Sequence, residues 1–221
     1  GYDAQGALYM GNVIGGSEPL NGTTSGSDTL SSPIPSGSSN VAGSHTMAGA
    51  DDGSVIDVLV VYTPEALVEV GGNTTAMDNI IELQESSTNE AYLKSGIAHI
   101  INVVHKQKIE WSEAGCAFSF ECILAAAQNG DIPGLHELRD THGADLVHVI
   151  IKGDGSWCGL AYIMQSVVPE FEGWGFGTTA TGCFSNYTFA HEIGHNMGAR
   201  HDRDEAKVGP EGKPFTYNFG Y

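Results

Sequence analysis

A chain of 221 residues, 41 % of them apolar, is long enough to enclose one sizeable core, which excludes a mini-protein that needs staples to fold. Its 27 acidic residues against 9 basic ones give a formal charge of −18, so nucleic acid and anionic membrane surfaces are excluded as partners on Coulombic grounds. No apolar run approaches the length of a bilayer span, and the chain opens on Gly1 with no basic-then-apolar leader behind it, so it reads as processed or trimmed.

Near the start, Ala7-Leu8-Tyr9-Met10 is an apolar patch sufficient for one strand. Gly15 to Ser54 are then dominated by Gly, Ser, Thr, Pro and Asn, with isolated apolar residues such as Leu30 and Ile34 and no sustained period. Such a segment cannot bury enough surface to offset its ordering entropy. Residues 1–54 therefore read as a linker or propeptide remnant, and residues 55–221 as the folded domain. The negative charge is concentrated early: no Lys or Arg precedes Lys94, whereas twelve carboxylates do. A solvated acidic face is the plain reading; calcium is the sharper one, although no complete calcium loop accompanies Asp51-Asp52-Gly53 or Asp154-Gly155.

From Val55 the run Val-Ile-Asp-Val-Leu-Val-Val-Tyr is a β-branched, largely buried strand, stopped by Thr63-Pro64. Thr74 to Lys94 keep an apolar stripe at helical spacing, closed by Gly96, and a strand follows over about Ile97 to Val104. A short amphipathic helix near Pro133 to Thr141 leads through Gly143 into a strand at Ala144 to Ile151, and Cys158 to Ile163 form another. Strands alternating with helices predict an α/β fold, a sheet with parallel members and helices on its faces. A last helix, about Tyr187 to Ala199, is expected to start at a Ser185 or Asn186 cap.

That helix carries the chemistry, because residues 191–202 read HEIGHNMGARHD. His191 and His195, four apart, lie one turn from each other on one helix face, where both imidazoles can reach one ion. Glu192 stands beside them as a carboxylate that need not be a ligand. Gly198 can take a positive φ, letting the chain leave the helix and bring His201 round as a third nitrogen donor. Three His ligands and one open position form a catalytic zinc arrangement rather than a closed structural one. In it, Glu192 takes the proton of the attacking water as general base. Of the other histidines, His99, His105, His136, His142 and His148 fit no metal-ligand spacing and read as packed or exposed. Cys116, Cys122, Cys158 and Cys183 contain no C-x-x-C pair, which disfavours a zinc ribbon and suits disulfides in an exported protein, with three pairings open.

H-E-x-x-H-x-x-G-x-x-H, with Phe189-Ala190 before it and Asp202 after it, resembles the signature of the metzincin zinc metalloproteases. The match is similar to the reprolysin or adamalysin branch and its bacterial relatives, the peptidyl-Asp metallopeptidases among them. The resemblance implies a metzincin-type catalytic domain: a twisted, mostly parallel sheet with an antiparallel edge strand and an active-site helix. Ile56 to Tyr62 look like the family's first strand, and Gly159-Leu160-Ala161 like the edge strand against which substrate lies antiparallel. It also implies a Cys158–Cys183 pair, leaving Cys116 with Cys122. A metzincin has a Met-turn after its third His, and no Met follows Met197, so the chain reads as truncated, without its C-terminal subdomain.

The function so implied is a secreted hydrolase, a zinc-dependent endopeptidase with one catalytic Zn2+ that acts on protein or peptide substrates. The alternative is a latent zymogen form with the N-terminal segment in the cleft. Its own propeptide and a missing C-terminal piece would then be the partners, without nucleic acid or membrane. No cysteine precedes Cys116, so Asp51, Asp52 or His45 would be the blocking group rather than a thiolate. A preference for aspartyl peptides would want a cation beside the scissile bond; Arg200 and Arg203 are available, and both read as solvated surface residues.

Overall fold

The structure is a computed structural model that describes residues 8–10, 28–31 and 54–201. Its strands are β1 (Leu8–Met10), β2 (Asp28–Ser31), β3 (Val55–Tyr62), β4 (Ile100–Lys108), β5 (Leu146–Ile151), β6 (Gly159–Ile163) and β7 (Phe176–Ala180). The helices are α1 (Pro64–Glu69), α2 (Thr74–Lys94), α3 (Phe120–Asn129), α4 (Leu135–His142) and α5 (Thr188–Asn196). One sheet runs β1-β2-β6-β7-β5-β3-β4. Strands β4, β3, β5 and β7 run parallel to one another, and β6 is antiparallel to β7. The α/β class with parallel strands, expected from the residue pattern, is what forms, and the sheet is mostly parallel, as the resemblance implies. One difference concerns β6, whose outer side is not an open edge. Thr29–Ser31 of β2 pair in parallel with Ala161–Ile163, and β1 adds antiparallel beyond them.

Alternation along the central strands sorts their side chains into two layers. Leu59 and Val61 of β3 and Val147, Val149 and Ile151 of β5 point to the face covered by α3 and α4, where Phe120, Ile123, Leu124 and Leu135 complete a core. Val58, Val60 and Tyr62, with Leu146 and Ile150, point to the opposite face, packed by Met77 and Ile81 of α2 and by Phe189 and Ile193 of α5. The helix that carries the histidines is thus held by apolar burial against the sheet.

Several boundaries differ from the sequence expectation. Strand β4 starts at Ile100 rather than Ile97, because Ile97 N–H closes the end of α2 on Tyr92 O (2.9 Å), and it runs on to Lys108 beside the full length of β3. Helix α1 follows β3 directly: Thr63 caps it by accepting Ala66 N–H at 3.0 Å, and Pro64 takes the first turn, where its missing N–H costs nothing. Helix α5 starts without a Ser185 or Asn186 cap. A 3-10 segment, Thr181–Asn186, runs up to it, Tyr187 makes the junction at φ 57°, and Ser185 Oγ bonds Asn186 Oδ1 instead of a backbone N–H. Two disulfides form, Cys116–Cys122 and Cys158–Cys183; the second ties the residue before β6 to the segment before α5.

A polar tie joins the ends of the parallel strands. Glu113 is fully buried and accepts from Thr63 Oγ1 (2.5 Å), Lys152 N (2.7 Å) and Gly153 N (2.9 Å). One carboxylate thereby links the end of β3 to the end of β5, and its three donors offset the cost of burying it.

Candidate metal centre

His191 and His195 sit one turn apart on α5, whose opposite side buries Phe189 and Ile193 in the sheet. The helix ends in a Schellman turn: Gly198 N–H bonds His195 O (2.9 Å) and Ala199 N–H bonds Gly194 O (2.8 Å). Gly198 makes that turn at φ 92°, in the left-handed region that favours glycine, and the reversal returns His201 to the helix. The three Nε2 atoms then converge, His195 to His191 at 3.0 Å and His191 to His201 at 3.1 Å. Among the described residues this is the one group of three or more His, Cys, Asp or Glu gathered closely enough to hold a metal ion.

The donor set fits zinc. Ligands about 2.0–2.1 Å from a tetrahedral ion stand about 3.3 Å from one another, close to the separations here. His195 Nδ1 lies 2.8 Å from Ala199 O. A carbonyl can only accept, so Nδ1 carries the proton and Nε2 turns its lone pair toward the other two imidazoles. The turn that delivers His201 therefore also orients His195.

Glu192 is 1 % exposed and lies on the β6 side of α5, against Gly159. The end of α5 is fastened to the sheet by polar contacts that sequence reasoning did not find. Asn196 Nδ2 donates to Tyr162 O (2.8 Å) and Phe176 O (3.0 Å), and Met164 N–H donates to His195 O (3.0 Å). The available signal was an amide inside the motif on the helix face that must meet the sheet; its two carbonyl partners lie in distant strands. Glu113 was equally illegible, because its donors come from two segments far from it in sequence, Thr63 and Lys152-Gly153.

The structure brings Gly159 to Glu192, while the side chains of Leu160 and Ala161 are fully buried, so on β6 only their backbone is available to a partner strand. At Ala161 that outer side faces Thr29 of β2. Arg200 is buried at 8 % exposure rather than solvated, because the Gly198 turn folds the chain back on the domain. Asp154 caps its own turn, accepting Ser156 N–H at 2.9 Å, and no acidic group for calcium assembles among the described residues. His45, Asp51, Asp52, Asp202 and Arg203 lie outside the described residues.

His148, on β5 beneath α5, is completely buried. Its Nε2 meets Thr179 Oγ1 at 2.8 Å and its ring stands edge-on to Phe189, 4.7 Å between centroids. Loss of hydration holds its pKa down at about 3, so it is a neutral core residue.

Comparison with known proteins places these features in a family. The profile described as Metallo-peptidase family M12 (Reprolysin_5) matches residues 52–217. A "Peptidyl-Asp metalloendopeptidase" of Xanthomonas campestris pv. campestris is 33 % identical over 178 residues, covering 80 % of this chain and 40 % of its own. One of the same name from Stenotrophomonas maltophilia (strain K279a) is 30 % identical over 76 % of this chain and 38 % of its own. The chain thus spans about two fifths of the length of these relatives. Among solved structures, a chain in "Structure of a chaperone-substrate complex" shares the fold, with a TM-score of 0.53 and 22 % identity over 67 % of this chain and 24 % of that one.

Proposed function

We propose that this chain, which belongs to metallo-peptidase family M12, is the catalytic part of a secreted, zinc-dependent endopeptidase of metzincin type. The observation that carries the reading is the convergence of three imidazole Nε2 atoms on a helix whose next residue after His191 is a buried glutamate. His191, His195 and His201 would hold the ion. Zinc, when bound, supplies a Lewis acid that lowers the pKa of water to about 7 and polarises a carbonyl. Glu192 takes the proton of the attacking water on its carboxylate and passes it to the leaving amine nitrogen. Its neighbour β6 offers backbone groups for an extended peptide, with Gly159, Leu160 and Ala161 as the substrate-binding strand. Both relatives are named for peptidyl-Asp, and the same preference is proposed for this chain. The catalytic domain is assigned to residues 55–221, with residues 1–54 as an N-terminal segment; the family match over 52–217 supports that boundary.

Two disulfides support an extracellular setting. The test is hydrolysis of a fluorogenic aspartyl peptide by the full-length protein, with and without chelator. Activity should vanish on chelation and return with zinc. Glu192→Gln should keep the metal and lose about 10³-fold in kcat. Chelator-insensitive hydrolysis, or wild-type kcat in Glu192→Gln, would contradict the assignment.

One observation favours a second reading, a latent form. Thr29–Ser31 pair with β6 on the side where substrate would add, in parallel rather than antiparallel orientation. A segment in that direction occupies the strand without presenting a peptide bond in the substrate's sense. Activity that rises when residues 1–54 are removed supports latency; unchanged activity removes it.

A further inference from the structure

Gly159 opens β6 and is not among the glycines with positive φ, so its backbone conformation is open to any residue. The space is not. A β-carbon at this position would run into the Glu192 side chain, meeting Oε1 and lying 2.7 Å from both Cγ and Cδ. Ordinary contacts at such atoms begin near 3.4 Å. The glutamate therefore fills the volume that a side chain at residue 159 would take.

We propose that Gly159 is the positioning residue for Glu192: the missing side chain at the start of β6 makes the seat in which the carboxyl rests. This rests on the reading of Glu192 as proton acceptor. Neither backbone is free to retreat from an added methyl. Cys158, one residue before, is bonded to Cys183, and its carbonyl accepts Ala180 N–H at 2.8 Å. Gly159 itself pairs with Thr179 of β7. On the other side α5 is held to β6 and β7 through Asn196 and the Met164 to His195 bond. With both walls fixed, the displacement falls on the χ angles of Glu192, and relieving the overlap takes about 1 Å. A misplacement of about 1 Å in a reacting group costs on the order of 10²-fold in rate.

The contact also separates Gly159 from its strand neighbours. Leu160 and Ala161 can serve a substrate only through their backbones, which many side chains would permit. Gly159 is constrained by the helix behind it.

The experiment compares wild type, Gly159→Ala, Glu192→Asp, the Gly159→Ala/Glu192→Asp double variant and Glu192→Gln, each in the full-length protein. Zinc content, kcat, KM and a crystal structure of Gly159→Ala are measured. Gly159→Ala should keep one zinc and a KM within about twofold of wild type, lose on the order of 10²-fold in kcat, and show the Glu192 carboxyl shifted by about 1 Å. Aspartate, one methylene shorter, makes room for the methyl, so the double variant should be no slower than Glu192→Asp alone. Wild-type kcat in Gly159→Ala, or losses that multiply in the double variant, would overturn the proposal. If Gly159→Ala fails to fold, the proposal requires Glu192→Asp to restore folding and zinc, and failure to do so overturns it. If Glu192→Gln keeps wild-type kcat, the proton-acceptor reading fails instead.

Discussion

His148 illustrates how a single buried side chain couples stability to pH. Its pKa falls from the ordinary 6.5 to about 3 because the charged ring would lose its hydration in the sheet. The unfolded chain binds a proton below about pH 6.5 while the folded chain does not, so the contribution of His148 is fully present above that pH. It is lost progressively as pH falls toward about 3, at up to about 1.4 kcal/mol per pH unit. Between pH 7.5 and 5 wild type should therefore lose about 2 kcal/mol that His148→Gln does not lose, measured as unfolding free energy in urea. Equal losses in the two proteins would contradict this account. At the same scale, Glu113 and Asn196 were out of reach of sequence reasoning, since a buried polar residue announces itself only through donors and acceptors that folding brings from far away.

Among elements, legibility followed periodicity. Helix α2 was plain because its apolar stripe keeps helical spacing over many residues, β3 because its β-branched apolar run is stopped by Thr63-Pro64, and α5 because its motif fixes the helical face. Helix α3 was not, since Phe-Glu-Cys-Ile-Leu-Ala-Ala-Ala is apolar almost all round and hides its stripe, although Ser119 and Gly130 mark its two ends. Strand β7, Phe-Gly-Thr-Thr-Ala, has weak strand character and is made by its place between β5 and β6. The two disulfides act on elements of different consequence. Cys158–Cys183 spans 25 residues and fastens β6 to the approach of α5, whereas Cys116–Cys122 spans 6. Loop-closure entropy alone gives about 3.5 kcal/mol for the longer and about 2 kcal/mol for the shorter. Replacing each pair by serine should thus lower the unfolding free energy more at 158/183, with loss of kcat confined to that pair. A larger loss at 116/122 would mean that the α5 clamp lies elsewhere.

Across the whole molecule, one sheet separates two packed layers, and the candidate site is built where the α5 layer meets β6 and β7. The early excess of negative charge has not acquired a role in that arrangement, whereas the proposed zinc chemistry needs only the turn at Gly198, the three imidazoles and Glu192 in its seat. The central claim is that these imidazoles jointly hold the ion, and zinc-edge X-ray absorption of the zinc-loaded full-length protein tests it most directly. The account predicts three imidazole nitrogens and one further light atom at about 2.0–2.1 Å, with one imidazole lost in His201→Ala. Sulfur scattering at about 2.3 Å, or a spectrum unchanged by His201→Ala, would contradict it.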